Sequence, residues 1–231
     1  LPALGLIMTV SASQVPSSVL LRWRRLGLPL ALAVFYSYVV NGGLTLLLAS
    51  LLIPDPELRA GFVFVAIAPP GVTVLAFTAI LHGDTTLSLV GTAGAYVSAL
   101  LIAPLIAQLL IGPGLIQPGQ LLLILVQLVA IPLLGSRILR RRELAAYVDR
   151  WRPAVVNWGL FVVFLGVVGV NRDVFLGEPG LVGLALVVAL ATVFGLGYLV
   201  GLVLWREGVR RPRRVSLALF ASLKNSGFAA A

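Results

Sequence analysis

An all-α polytopic membrane fold, an inverted repeat of five helices with two discontinuous helices that cross, is what this sequence predicts. Three observations point there: long apolar runs between short arginine-rich patches, a one-sided distribution of those arginines, and two apolar runs interrupted by residues that a continuous helix rejects. Of 231 residues, 60% are hydrophobic and 11% charged, against roughly half and about a quarter in an ordinary soluble domain. A mean hydropathy of +1.08 assigns most of the chain to a bilayer. The formal charge of +9, from 17 basic and 8 acidic residues, would suit a nucleic-acid binder if the cations covered a soluble surface. They lie between apolar blocks instead, so the expected surroundings are lipid and no nucleic-acid partner is expected. With no cysteine and a single histidine, a disulfide framework, a Cys-ligated zinc site, a thiol nucleophile and a His-rich metal site are excluded. The chain starts at Leu1 and stops at Ala231 inside an apolar run, which reads as a piece of a longer protein. No basic stretch leads the first run, as it would in a cleavable signal peptide.

A spanning helix needs about 20 residues, and eight apolar segments meet or approach that within one transmembrane domain, 1–231. They are about 1–19, 26–53, 60–81, 86–111, 120–139, 154–170, 181–205 and 215–231. The first is closed by Arg22-Trp23-Arg24-Arg25 and the second by Pro54-Asp55-Pro56-Glu57. The third runs to the turn His82-Gly83-Asp84, and the fourth to Gly112-Pro113-Gly114. The fifth ends among Arg137, Arg140, Arg141 and Arg142, the sixth lies between Pro153 and Asn171, the seventh ends at Arg206, and the eighth follows Arg214. Alternating loops then place fourteen arginines on one side: Arg22, Arg24, Arg25, Arg137, Arg140, Arg141, Arg142, Arg150, Arg152, Arg206, Arg210, Arg211, Arg213 and Arg214. Only Arg59 and Arg172 fall on the other. Basic residues of short loops collect in the cytoplasm. Loops 20–25, 82–85, 137–153 and 206–214 are therefore expected to be cytoplasmic, in a multi-pass protein of the cell membrane, of the bacterial inner-membrane type.

The third segment carries Ala68-Pro69-Pro70-Gly71. Two prolines remove two backbone donors and clash with the preceding turn, and irregular backbone at membrane depth is tolerated only against protein or a watery cavity. The break therefore predicts a site inside the protein, with a packed Pro-Gly kink as the competing reading. The eighth segment carries Ser222-Leu223-Lys224-Asn225-Ser226-Gly227. Lys224 is the one lysine, and a cation at mid-membrane costs at least about 2.5–3.5 kcal/mol. It normally faces a cavity or partner; snorkelling is the alternative. Five steps in span order separate the two broken segments, so they cross the membrane in opposite directions, the geometry of an inverted repeat. Half-helix N-termini in such a repeat can point at an anionic substrate. The small residues Gly91, Ala95, Ala99, Gly197 and Gly201 read as packing stripes, Pro104 and Pro132 as kinks, and Asn41-Gly42-Gly43 as either a hinge or a close contact.

These breaks, with Ala3-Leu4-Gly5-Leu6-Ile7-Met8, the His82-Gly83-Asp84 turn leading to Leu87-Ser88, and Leu223-Lys224-Asn225-Ser226-Gly227-Phe228-Ala229-Ala230-Ala231, resemble the bile acid:sodium symporter family. The last stretch parallels a Gln-Asn-Ser-Gly-Leu-Ala run of that family. The resemblance implies that the eight segments correspond to the second to ninth of ten. It also implies a core domain holding the crossing helices, a panel domain, and substrate bound in the crevice between them. It brings sodium as the family's coupling ion. At the positions of the family's ion ligands, the hydroxyls persist as Ser88 and Thr92. The Ser-Asn pair is Val74 and Leu75, the Glu is Phe220, the motif Gln is Lys224 and the remaining Gln is Ser37. Sodium needs a shell of oxygens, which these replacements largely remove.

The expected function is secondary active transport of a small organic anion by alternating access, without the family's usual sodium sites and with no cofactor. A transport-incompetent sensor or scaffold of the same fold is the alternative. An intramembrane enzyme is not expected, since no Asp, Glu or His lies well within a span. Asn225 and Ser226 are the substrate-contact candidates by resemblance, and Thr73 by its position just past Gly71. The helix breaks are Pro69, Pro70, Gly71 and Gly227. Lys224 is expected to occupy the space of the missing ions, either as a fixed charge or by releasing and regaining a proton, which would couple transport to protons.

Overall fold

A computed structural model of the chain describes residues 27–71, 73–111, 131–140 and 142–225, with isolated positions within 5–13 and 119–127. The segment 1–19, the first half of 120–139, and Ser226 and Gly227 lie largely or wholly outside the described residues. What is described is an all-α, multi-pass membrane fold. In chain order the helices are α1 Gly27–Leu52, α2 Pro56–Ile67, α3 Thr73–Ile80, α4 Thr85–Ile111 and α5 Ile131–Leu139. There follow α6 Arg142–Val170, α7 Arg172–Gly177, α8 Pro179–Arg206 and α9 Arg211–Ser222. Helices α1, α4, α6 and α8 each include a stretch long and apolar enough to cross a membrane.

Helix α4 shows how the bilayer inverts the usual sorting of side chains. Leu101, Leu105 and Leu109 are 72%, 66% and 82% exposed, whereas Ala99, Ala103 and Ala107 are fully buried at 0%. In water such a helix would turn its leucines inward; in lipid the leucines meet acyl chains and the alanines admit a neighbouring backbone. The buried stripe packs on Ile67 and Ala68 at the end of α2 and on Tyr96. A second core gathers Ala33, Tyr38, Val74, Leu217 and Phe220 from α1, α3 and α9. Local chemistry starts two of these helices. Asp55 accepts the Leu58 amide at 2.6 Å ahead of α2, with Pro56 in the first turn, and Asp84 accepts the Leu87 amide at 2.9 Å ahead of α4. The His82-Gly83-Asp84 turn is clamped to the start of α9: Asp84 N–H donates to the Pro212 carbonyl, and Ser216 Oγ donates to the Asp84 carbonyl.

The stretch 140–153, expected as a loop, is mostly helical, because α6 begins at Arg142 and runs through Pro153. Hydropathy reports affinity for lipid, and Arg, Glu, Ala and Leu are good helix formers in water as well. Arg152 also pairs with Asp149 one turn earlier. The expected loop after Asn171 likewise contains α7.

Helix α1 widens to a π-helical pitch over Phe35–Gly42, and α8 does so over Ala191–Gly195. Each is followed by a short connection and a half-helix of 12 residues, α2 or α9. A Cβ on Gly42 would stand 2.9 Å from the Ala66 carbonyl oxygen, and one on Gly197 3.1 Å from Ser222 Cβ. Asn41-Gly42-Gly43 is thus a close contact: a side chain at Gly42 would push α1 off the end of α2.

Candidate functional site

Both half-helices end because their chain becomes extended. After α2, Ala68 turns to φ −60°, ψ 139°; after α9, Leu223 turns to φ −103°, ψ 111°. The two extended stretches cross antiparallel, with Pro70 opposite Lys224. Gly71 N–H donates to the Leu223 carbonyl at 3.1 Å, and Asn225 N–H donates to the Pro69 carbonyl at 2.9 Å. A miniature ladder therefore pairs backbone groups that the ended helices no longer serve.

The prolines leave a specific debt at the end of α2. In an unbroken helix the Ala66 carbonyl would receive the N–H of residue 70, which is Pro70 and has none. Lys224 supplies the donor: its Nζ donates to the Ala66 carbonyl at 2.8 Å and to the Ala68 carbonyl at 2.9 Å. The ammonium thus sits on the negative end of a helix, where a cation is favoured. It also lies 4.7 Å from the centroid of the Tyr38 ring, a cation–π distance. Tyr38 is held in turn by donating its hydroxyl to the Ala95 carbonyl at 3.2 Å. The end of α9 is treated differently. Asn225 N–H is engaged with Pro69, so the Ala221 carbonyl lacks its helical donor and takes the Asn41 amide instead, at 2.6 Å. Thr45 donates to Asn41 Oδ1 at 3.4 Å.

Asn225 is buried and its amide donates to the Tyr96 hydroxyl at 2.8 Å. Thr73 opens α3 and is partly buried. Pro69, Pro70 and Gly71 are buried at the crossing. A Cβ on Gly71 would stand 2.9 Å from Thr73 Oγ1 and 3.0 Å from the Lys224 carbonyl oxygen. Ser88 shares a 2.7 Å hydrogen bond with Thr78. Thr92 and Ser37 are buried, and neither hydroxyl has a hydrogen-bond partner among the described residues. Phe220 is fully buried with its ring against Gly91, where a Cβ would stand 2.7 Å from it; Val74 is fully buried as well. No cluster of three His, Cys, Asp or Glu side chains occurs among the described residues.

The profile of the Sodium Bile acid symporter family matches residues 1–173. The chain belongs to that family. The matched region holds the first break and the hydroxyls Ser88 and Thr92, and it stops before the second break with Lys224. Symporter-type membrane transport is what membership implies. A comparison with curated proteins finds no match.

Sequence reasoning did not find Asn41, Tyr38 and Tyr96 as parts of the site. Asn41 had a usable signal, an amide in the middle of an apolar span. The two tyrosines had none, because a tyrosine in a lipid-facing sequence is unremarkable until its neighbours are known.

Proposed function

We propose that this chain is a secondary active transporter of a small organic anion, built as an inverted repeat, in which Lys224 takes the place of the family's sodium ions. The repeat is supported by matching positions. Gly42 precedes Pro56 by fourteen residues, as Gly197 precedes Arg211, and each glycine faces the end of its own half-helix. A core containing the crossing rocks against a panel domain to give alternating access, with the arginine-rich loops in the cytoplasm.

The observation that carries the proposal is the double hydrogen bond from the Lys224 ammonium to Ala66 and Ala68. Sodium requires a compact shell of oxygens. The residues at the family's ion positions do not fit it: Phe220 and Val74 are buried hydrocarbon, Leu75 is nearly so, and the hydroxyls of Ser88, Thr92 and Ser37 are what remain. A single tethered charge answers the same carbonyl dipoles from within the chain. Substrate would meet Asn225, Ser226 and Thr73 near the crossing.

The test is uptake of a panel of labelled organic anions into proteoliposomes under imposed sodium or proton gradients, with Lys224→Gln alongside. Sodium-independent uptake that Lys224→Gln impairs is the expected result. A fixed charge predicts indifference to both gradients, whereas a lysine that cycles its proton predicts dependence on the proton gradient. Sodium-dependent uptake that survives Lys224→Gln contradicts both versions. Flux of no anion under any gradient favours the sensor or scaffold function.

A further inference from the structure

A groove of about 440 Å³ runs between α8 and the start of α9, lined by Gly197, Tyr198, Gly201, Leu202, Trp205 and Arg214. Its two ends differ in chemistry. Away from the arginines, nothing lies within 4 Å of where a Cβ on Gly201 would be, so the groove is open there, beside Leu202. At the other end Arg214 and Trp205 both line the groove, and the segment 206–214 also carries Arg206, Arg210, Arg211 and Arg213, against Glu207 as its one acid. None of these five arginines pairs with a carboxylate among the described residues. Trp205 is 61% exposed, and an indole at the charged end of an apolar helix is suited to headgroup level.

We propose that this groove binds an anionic phospholipid, its phosphate on Arg214 beside Trp205 and an acyl chain along Gly201 and Leu202. A soluble anion would need the charge alone. From Trp205 back to Gly201 and Leu202, roughly 6 Å of helix, the groove wall is apolar side chain and open glycine, which suits an acyl chain. Charge complementarity selects the occupant, because the surplus of arginines attracts anionic headgroups at a membrane surface.

A second groove supplies an internal control. It lies between α1 and the start of α2, measures about 360 Å³ and includes Leu46, Leu47, Ser50, Val63 and Arg59. Arg59 is the fourth residue of α2, as Arg214 is of α9. There, however, Asp55 and Glu57 outnumber the arginine within four residues, so an anionic headgroup gains nothing. The leaflet assignment follows the proposed cytoplasmic side of 206–214; binding itself does not depend on it or on transport.

The experiment is native mass spectrometry of the detergent-solubilised full chain with phosphatidylglycerol, with phosphatidylcholine of the same acyl chains, and with phosphatidylglycerol in the presence of excess inorganic phosphate. Expected is a preference of about five-fold for phosphatidylglycerol, the size that one arginine confers near an anionic surface. Arg214→Gln should cut the preference several-fold, Arg214→Lys should keep most of it, Trp205→Ala should weaken it and Arg59→Gln should leave it unchanged. Equal binding of the two lipids, or an unchanged preference in a monodisperse Arg214→Gln protein, overturns the proposal. Full competition by inorganic phosphate overturns it too, by assigning the site to a soluble anion.

Discussion

The ends of α2 and α9 face the same physical problem and meet it with different chemistry. Each half-helix stops where the chain becomes extended, and each leaves a carbonyl without its helical donor. At α2 the Ala66 carbonyl is reached by the charged Lys224 ammonium, which also spans to Ala68. At α9 the Ala221 carbonyl is reached by the neutral amide of Asn41. The difference follows from what each donor can serve. An ammonium has three protons and can bridge two carbonyls, whereas the Asn41 amide meets one carbonyl and has its own oxygen engaged by Thr45. A hydrogen bond from a charged group is also worth about twice a neutral one. The charge is therefore concentrated at the end where two prolines removed donors.

The comparison orders the effects of substitution. Lys224→Met strands two carbonyls at the end of α2, at about 1–3 kcal/mol for each buried group, and should give the largest fall in thermal unfolding temperature in detergent, together with loss of uptake. Lys224→Gln, which keeps an amide donor, should fall roughly half as far. Equal stability of Lys224→Met and wild type would remove the role assigned to the ammonium.

Gly91→Val should come next. It forces a branched side chain into space 2.7 Å from the Phe220 ring and 2.8 Å from Ala33 Cβ, at a cost of about 1–3 kcal/mol. Phe220→Leu in the same chain should recover part of that loss. No recovery would mean that Phe220 does not fill the space beside α4 as described. Asn41→Leu strands the Ala221 carbonyl and takes the long bond of Thr45 with it, and should cost about 1–2 kcal/mol, less than Lys224→Met. If the two variants were equally damaging, charge would add nothing to hydrogen bonding at the crossing. Tyr96→Phe, which takes the acceptor from the Asn225 amide, should have the smallest effect, about 1 kcal/mol, read in the same melting experiment.

Much of the crossing was legible because its causes are local. Pro69-Pro70 announces missing donors, and a lysine in an apolar run announces a partner, whatever the fold. The partner itself was not legible. Lys224 is answered by the backbone of Ala66 and Ala68, and a carbonyl leaves no mark on the sequence that would distinguish it from any other. Asn41 stood in view as a buried amide, but its use depends on Asn225 N–H being drawn away to Pro69, which only the antiparallel crossing reveals. The helical character of 142–153 was hidden for another reason. Hydropathy sorts residues by their affinity for lipid, and an arginine-rich segment outside the bilayer can be helical without registering on that scale.

On the proposed function, the Lys224 charge stands in for bound sodium at the crossing. A ligand that binds the folded state raises its stability in proportion to the logarithm of ligand concentration above its Kd, so a structural sodium ion would show itself in the melting temperature. The decisive measurement is the melting temperature of the purified chain titrated with sodium chloride against choline chloride at constant ionic strength, for wild type and Lys224→Gln. The two salts should give superimposable curves for the wild type, with the Lys224→Gln curve displaced downward in both. A rise specific to sodium in the wild type would mean that an ion still binds the folded chain and that Lys224 has not replaced it.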